Sequence, residues 1–185
     1  SIGFSAFAES ASLTSLNLPT DLQNIGDLAF YNCINLATLS FPETLVHIGD
    51  LVFTGTPWLM NQQALNPLVV INEFLIDGQS ASGDVVIPDT ITHITGGAFA
   101  GNMSMTSITV PGSVDSIGTW AFNYASSLTT VTLNEGLTFI GNEAFAGSAS
   151  LSSMTVPSTV TWIGSDAFSG NPWYETAILE NPYYV

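Results

Sequence analysis

Apolar residues recur along this chain at a fixed interval. The hexad Ile-Gly-x-x-Ala-Phe begins at Ile2, Ile25, Ile48, Ile94, Ile117, Ile140 and Ile163, with Thr95 replacing the glycine once and Val52 the alanine once. Successive hexads are 23 residues apart, except for one gap of 46 between Ile48 and Ile94. Ile71 falls at the missing phase and Ile76 where a phenylalanine is due, giving eight slots with no slip of phase. A second set of columns keeps the same interval: Leu16, Leu39, Val85, Ile108, Val131 and Met154, then Leu18, Phe41, Ile87, Val110, Leu133 and Val156. Pro19, Pro42, Pro88, Pro111 and Pro157 follow directly.

Such a unit has one apolar face and nothing of its own to cover it, so it is stable only when stacked on its neighbours. The alternation at Leu16 and Leu18 predicts a short strand with both side chains inward. The proline after it ends pairing because it has no amide donor. Leu22 to Ile25 predicts a second inward-facing stretch, Gly26 a tight corner, and Phe30 an interior filler. The expected architecture is a solenoid of 23-residue repeats, with short β-strands joined by irregular turns.

The spacing and motifs closely resemble the BspA-like, or Treponema-type, leucine-rich repeats of bacterial surface proteins, which some parasitic protists also carry. The most specific stretch is Ile-Gly-Asp-Leu-Ala-Phe-Tyr-Asn-Cys-Ile-Asn-Leu at positions 25 to 36, where Cys33 occupies the family's small-or-Cys position. Ser10, Thr56, Asn102, Ala125, Ser148 and Asn171 take that column elsewhere. The resemblance implies a leucine-rich-repeat solenoid that is extracellular or at the cell surface. It further implies a non-enzymatic adhesion module whose partners are host or matrix proteins. The chain departs from the family pattern by lacking the usual scattered Lys and Arg.

The degenerate slot repeats too. Thr56-Pro57-Trp58-Leu59 is matched by Asn171-Pro172-Trp173-Tyr174, and Asn66-Pro67-Leu68-Val69-Val70 by Asn181-Pro182-Tyr183-Tyr184-Val185, both 115 residues on, or five periods. Ile71 to Gly78 predicts two short strands round a tight turn, a hairpin-like insertion. The expected organisation is one solenoid segment over 1–185. Regular repeats span about 1–57 and 83–172, the degenerate slot about 58–82, and a second such slot starts over 173–185. A chain that starts and stops inside repeats is expected to be a piece of a longer array.

Composition narrows the function. The 185 residues include 15 Asp and Glu but no Lys or Arg, for a formal net charge of −15. A chain without cations cannot neutralise phosphates or grip anionic lipid, so nucleic acid is excluded as a partner. No apolar run approaches the ~20 residues of a membrane span, so no membrane insertion is expected. Trypsin-type proteases find no cationic side chain to cleave after. The single Cys33 permits no intrachain disulfide and no thiolate cage for zinc.

The residues flanking the inward positions of the first strand form a ladder of mostly hydroxyl side chains: Ser15/Asn17, Thr38/Ser40, Asp84/Val86, Ser107/Thr109, Thr130/Thr132 and Ser153/Thr155. Stacked ~4.8 Å apart, such rows offer a neutral surface for an extended peptide, a glycan or ordered water. Ser and Thr also suit exposed sheet positions with no ligand at all. Spaced Thr rows resemble ice-binding solenoids as well, a remote alternative because only one row is a strict Thr pair. Phe139 and Trp162 share another outward column and should bring their rings together, either as a partner anchor or as cover for the array. Trp120, in the column of Leu28 and Leu51, is expected to pack.

Asp27, Asp50 and Glu73 share a column over three slots, which would set three carboxylates side by side. Calcium would relieve their repulsion, but there is no dense Asp/Asn loop of the EF-hand kind, so calcium is not expected and solvation is the default. His47 and His93 stand two slots apart, too far to share a metal. No catalytic triad and no cofactor is expected. Asn102-Met103-Ser104 is an N-glycosylation sequon.

Two functions remain: an adhesive binding surface, or a structural stalk or filament repeat that binds copies of itself end to end. In either case mutual repulsion among the carboxylates weakens as pH falls toward the sequence pI near 4.1. Light scattering is therefore expected to rise from pH 7 to pH 4, and a flat trace would contradict that electrostatic account.

Overall fold

A computed structural model of the chain describes the backbone of residues 1–180 and the side chains of residues 1–177. The repeats stack as a solenoid, and two of the three sides of each regular coil carry short parallel strands. On the first side β1 (Ser15–Asn17) pairs with β3 (Thr38–Ser40), and β7 (Gly83–Val86), β9 (Met105–Val110), β11 (Thr130–Leu133) and β13 (Ser153–Thr155) pair in that order. On the second side β2 (Asn24–Ile25) pairs with β4 (His47–Ile48). A longer sheet runs from β5 (Val69–Ile71) through β6 (Phe74–Asp77), β8 (His93–Ile94), β10 (Ser116–Ile117) and β12 (Phe139–Ile140) to β14 (Trp162–Ile163). Across regular repeats the register equals the sequence period: Leu16 faces Leu39, Val131 faces Met154 and Ile117 faces Ile140.

The third side is a turn that is also a ladder. In the second repeat, Leu28, Phe30 and Asn32 donate to the carbonyls of Asp50, Val52 and Thr54 one repeat on, while Ala29, Tyr31 and Cys33 donate three residues back. This geometry puts two residues per repeat in left-handed backbone, Leu28 (φ +57) and Asn32 (φ +52) among them. The corner glycine is required because coils touch there backbone to backbone. A Cβ on Gly141 would meet the Gly118 carbonyl carbon at 2.6 Å.

Inside, identical residues stack on one another. The rings of Phe7, Phe30 and Phe53 form one parallel column at 5.4 and 5.8 Å, and those of Phe99, Phe122, Phe145 and Phe168 a second at 4.9, 4.8 and 5.7 Å. Each column ends on a tryptophan, Trp58 at 4.8 Å from Phe53 and Trp173 at 5.2 Å from Phe168.

The break between the columns is the degenerate slot, and here the structure corrects the sequence expectation twice. Where irregular chain was expected there is a helix, α1 (Pro57–Leu65), begun by Thr56, whose Oγ1 accepts the Leu59 amide at 3.2 Å with Pro57 in the first turn. A second helix, α2 (Pro172–Glu180), starts the same way, the Asn171 Oδ1 accepting the Tyr174 amide at 2.9 Å. Asn61 and Gln63, one period after Thr38 and Ser40, lie in α1, so that slot supplies no strand to the first side, and the sheet is interrupted between β3 and β7. Ile71 is also not the member of the isoleucine column. β5 and β6 form the expected hairpin round Asn72 and Glu73, but it is Leu75 that pairs with Ile94, a slip of four residues from the predicted phase. The second copy's Asn181-Pro182-Tyr183-Tyr184-Val185 lies outside the described residues.

β6 forms a wall between two cores. Phe74 and Ile76 belong to the cluster running from Leu22, and Leu75 to the cluster running to Phe168. The alternation of a strand lets one segment seal both. Phe122 is fully buried between two rings, so Phe122→Ala is expected to cost about 3–5 kcal/mol in urea unfolding, and Phe7→Ala, exposed on one face, about half that.

Candidate functional site

The hydroxyl ladder is present as two separate surfaces. Ser15 and Asn17 pair with Thr38 and Ser40 on the two-stranded sheet; Ser107 and Thr109, Thr130 and Thr132, and Ser153 and Thr155 lie in register on the four-stranded one. Asp84 and Val86 head the larger surface, where the Asp84 Oδ1 accepts the Ser107 hydroxyl at 2.6 Å. α1 separates the two surfaces, so the ladder is not continuous.

Several hydroxyls outside the ladder bridge neighbouring coils. Thr129, Thr138, Thr159 and Thr161 donate to the carbonyls of Thr106, Asp115, Leu137 and Thr138 in the previous repeat, tying coils together. Among the described residues, Thr109, Thr130, Thr132, Ser153 and Thr155 have no such side-chain partner within the chain. Their donors and acceptors face outward over a filled core, where a ligand or water can take them.

Phe139 and Trp162 meet as the column implies. They pair in register, their rings are parallel with centroids 6.4 Å apart, and they are 40% and 59% exposed. Further along this face His93 Nε2 lies 3.3 Å from Asp115 Oδ1, and Phe74 packs on the His93 ring at 4.9 Å. Val70 does not stand between His47 and His93 as the unbroken period required. Phe74 takes that place, because of the four-residue slip.

The three carboxylates do not stack. Asp27 Oδ1 accepts the Asp50 amide at 3.0 Å, and Asp50 Oδ1 accepts the Gly96 amide at 2.6 Å. Glu73 has left the column and sits opposite Thr92, its carbonyl oxygen accepting from the amides of Thr92 and His93. The slip in the hairpin is the cause. Among the described residues no group of three or more His, Cys, Asp or Glu side chains is placed to hold a metal ion. In the regular array Asn142 does the work of Asp27, accepting the Ser165 amide at 2.9 Å, so this column serves to bridge coils.

The sequon is sterically closed. Asn102 is 2% exposed, its Nδ2 donating to the carbonyls of Gly78, Gln79 and Ala81 and its Oδ1 accepting from the amides of Ser104 and Met105. Trp120, expected to pack, is instead 42% exposed, although Leu28 and Leu51 in the same column, with the same left-handed backbone, are half-buried. Cys33 is buried with its Sγ donating to the Phe7 carbonyl, and burial pushes its thiol pKa up.

One open cavity of about 450 Å³ lies at the last described repeat. Its lining residues Asp166, Ala167, Phe168, Ser169 and Tyr174 stand 115 residues after Leu51, Val52, Phe53, Thr54 and Leu59. At that earlier position Ile76, Asp77 and Gln79 occupy the space and leave only about 10 Å³. The hairpin is thus the plug of an equivalent seat.

With this geometry in view, comparison with known families identifies one. The family model for the BspA-type leucine-rich repeat region matches in six copies, over residues 1–101 and 65–175. The chain belongs to the BspA-type leucine-rich repeat family. Among solved structures it is similar to the pneumococcal vaccine antigen PcpA (19% identity, 88% of this chain and 49% of that one, TM-score 0.58). It is also similar to the Treponema pallidum leucine-rich repeat protein (22% identity, 97% and 75%, TM-score 0.49) and to a leucine-rich repeat protein of Bacteroides ovatus (22% identity, 91% and 50%, TM-score 0.42). The chain spans about half the length of the pneumococcal and B. ovatus proteins. No curated protein matches.

The seam between the cores holds two carboxylates whose pKa values burial raises. Asp77 is buried, its Oδ1 accepting from Gln63 Nε2 at 3.0 Å and the Gln79 amide at 3.1 Å, contacts that offset the desolvation only in part. Asp50 is raised by burial first and by Asp27 as well, against the Gly96 hydrogen bond. A carboxyl with a folded pKa above its unfolded one binds more protons when folded, so its contribution improves as pH falls through the folded pKa toward the ordinary value of 3.8. Asp77→Asn keeps the accepting oxygen without the charge. It is expected to raise the melting temperature at pH 7 and to lose that advantage near pH 4; an advantage independent of pH would refute the assignment.

Proposed function

We propose that this chain is a non-enzymatic binding module, displayed at the cell surface or outside the cell, that presents its four-stranded face to protein or glycan partners. The observation that carries this reading is the contrast among hydroxyls. Thr129, Thr138, Thr159 and Thr161 are spent on holding coils together, whereas Thr109, Thr132 and Thr155, in register, and Thr130 beside Ser153 keep donors and acceptors directed outward. An extended ligand laid across parallel strands would meet a hydroxyl every ~4.8 Å. Membership of the BspA-type family supports the reading, as does the likeness to a protein described as a vaccine antigen, since antigens of that kind must be reachable from outside.

Val is close to Thr in shape and suits strands, so Thr132→Val with Thr155→Val is expected to leave stability within about 0.5 kcal/mol. Against immobilised fibronectin, collagen, laminin and a panel of host glycans, the wild-type chain is expected to capture at least one, and the double variant to lose that capture. Retained capture by the variant would sink the assignment to this face. Sedimentation velocity over a range of concentrations separates the stalk or filament reading, because growth with concentration and no capture would favour self-association.

A further inference from the structure

The turn side of the repeat around residues 117–124 differs from that of its neighbours. Both of its left-handed positions carry large aromatics, Trp120 (φ +59) and Tyr124 (φ +53). The previous repeat has Gly97 and Gly101 there, and the next has Glu143 and Gly147. Left-handed backbone penalises any Cβ, and only Gly, Asn and Asp adopt it routinely. Core burial does not compensate for this, because Trp120 is 42% and Tyr124 66% exposed. The same backbone recurs in the other turns, at Leu28 and Leu51 in the column of Trp120 among others, so what sets this repeat apart is the size and exposure of the two side chains it holds there.

The arrangement is ordered. The Trp120 amide donates to the Asn142 carbonyl at 3.0 Å and the Tyr124 amide to the Ala146 carbonyl at 2.8 Å, fixing both in register with the next coil. The Tyr124 ring leans on Gly147, where a Cβ would meet it at 2.6 Å, so the glycine provides a flat seat for one side of the ring. Next in the column of Trp120 come Glu143 and then Asp166, both exposed and both left-handed. With no Lys or Arg anywhere in the chain, no internal side-chain cation covers these rings or pairs with these carboxylates.

We propose that Trp120, Tyr124, Glu143 and Asp166 form a docking site for an arginine side chain on an exposed segment of a partner protein. A guanidinium is planar and stacks on aromatic faces, and its fork of N–H donors suits a neighbouring carboxylate. A lysine ammonium gains the charge attraction but not the stacking. A neutral sugar gains the rings but has no use for the carboxylates. The site lies on the turn side, away from the hydroxyl rows, and stands or falls independently of them.

The test titrates the wild-type chain with the capped peptides Gly-Arg-Gly-Arg-Gly-Arg and Gly-Lys-Gly-Lys-Gly-Lys at about 0.15 M salt. The arginine peptide is expected to bind several-fold more tightly. Trp120→Gly is expected to weaken it about tenfold and to abolish the preference over lysine. Glu143→Gln should weaken both peptides, whereas Asp84→Asn, on the hydroxyl face, should change neither. Since Trp120→Gly relieves left-handed strain, its melting temperature should not fall, so lost binding is not lost folding. Equal binding of the two peptides by the wild-type chain, or unchanged arginine binding by Trp120→Gly, would overturn the proposal and leave only diffuse attraction to a chain of net charge −15.

Discussion

Each coil of this protein is held in place by backbone hydrogen bonds to the coils on either side, and those bonds exist only if the sequence stays in register. A slip of one residue on a strand side would turn inward residues out. The register has a further effect, because like is stacked on like: a column of phenylalanine rings or of isoleucines gains from repetition, whereas a column of carboxylates would set like charges ~4.8 Å apart. The low charge of the chain, 8% of its residues, is consistent with this constraint. Asp27 and Asp50 share a column, and each is bonded to a backbone amide of the coil stacked on it instead of standing free; Glu143 and Asp166, which share another column, are exposed to water, where their repulsion is screened.

The insertion shows how a solenoid tolerates an interruption. α1 removes one strand from the first side, and the hairpin restores pairing on the second through a shifted residue, Leu75. The repeat that follows is adapted to receive it. Thr95, where other hexads have glycine, donates its hydroxyl to the carbonyl of Leu75, and Asn102 holds three carbonyls of the hairpin's exit. These two residues look like departures from the repeat pattern, yet they are the joints of the structure.

Much of this was legible in the sequence. The interval, the inward columns and the pairing of Phe139 with Trp162 all follow from arithmetic on residue numbers, because the regular part of a solenoid is its sequence period in three dimensions. The helix was legible too, since Thr56-Pro57 and Asn171-Pro172 are capping residues followed by proline; the unbroken arithmetic of the period concealed it. The four-residue slip was not legible. Ile71 and Leu75 are both apolar, and only packing against both cores chooses between them. Nor was the exposure of Trp120, since its column elsewhere holds Leu28 and Leu51, which the same backbone leaves half-buried.

The wall formed by β6 bears on cooperativity. Because Phe74 and Ile76 report to one core and Leu75 to the other, the two halves of the chain communicate mainly through a single strand and a few polar joints beside it. In a linear array, stability is a sum over adjacent interfaces, and the weakest of these divides the whole into separately melting blocks.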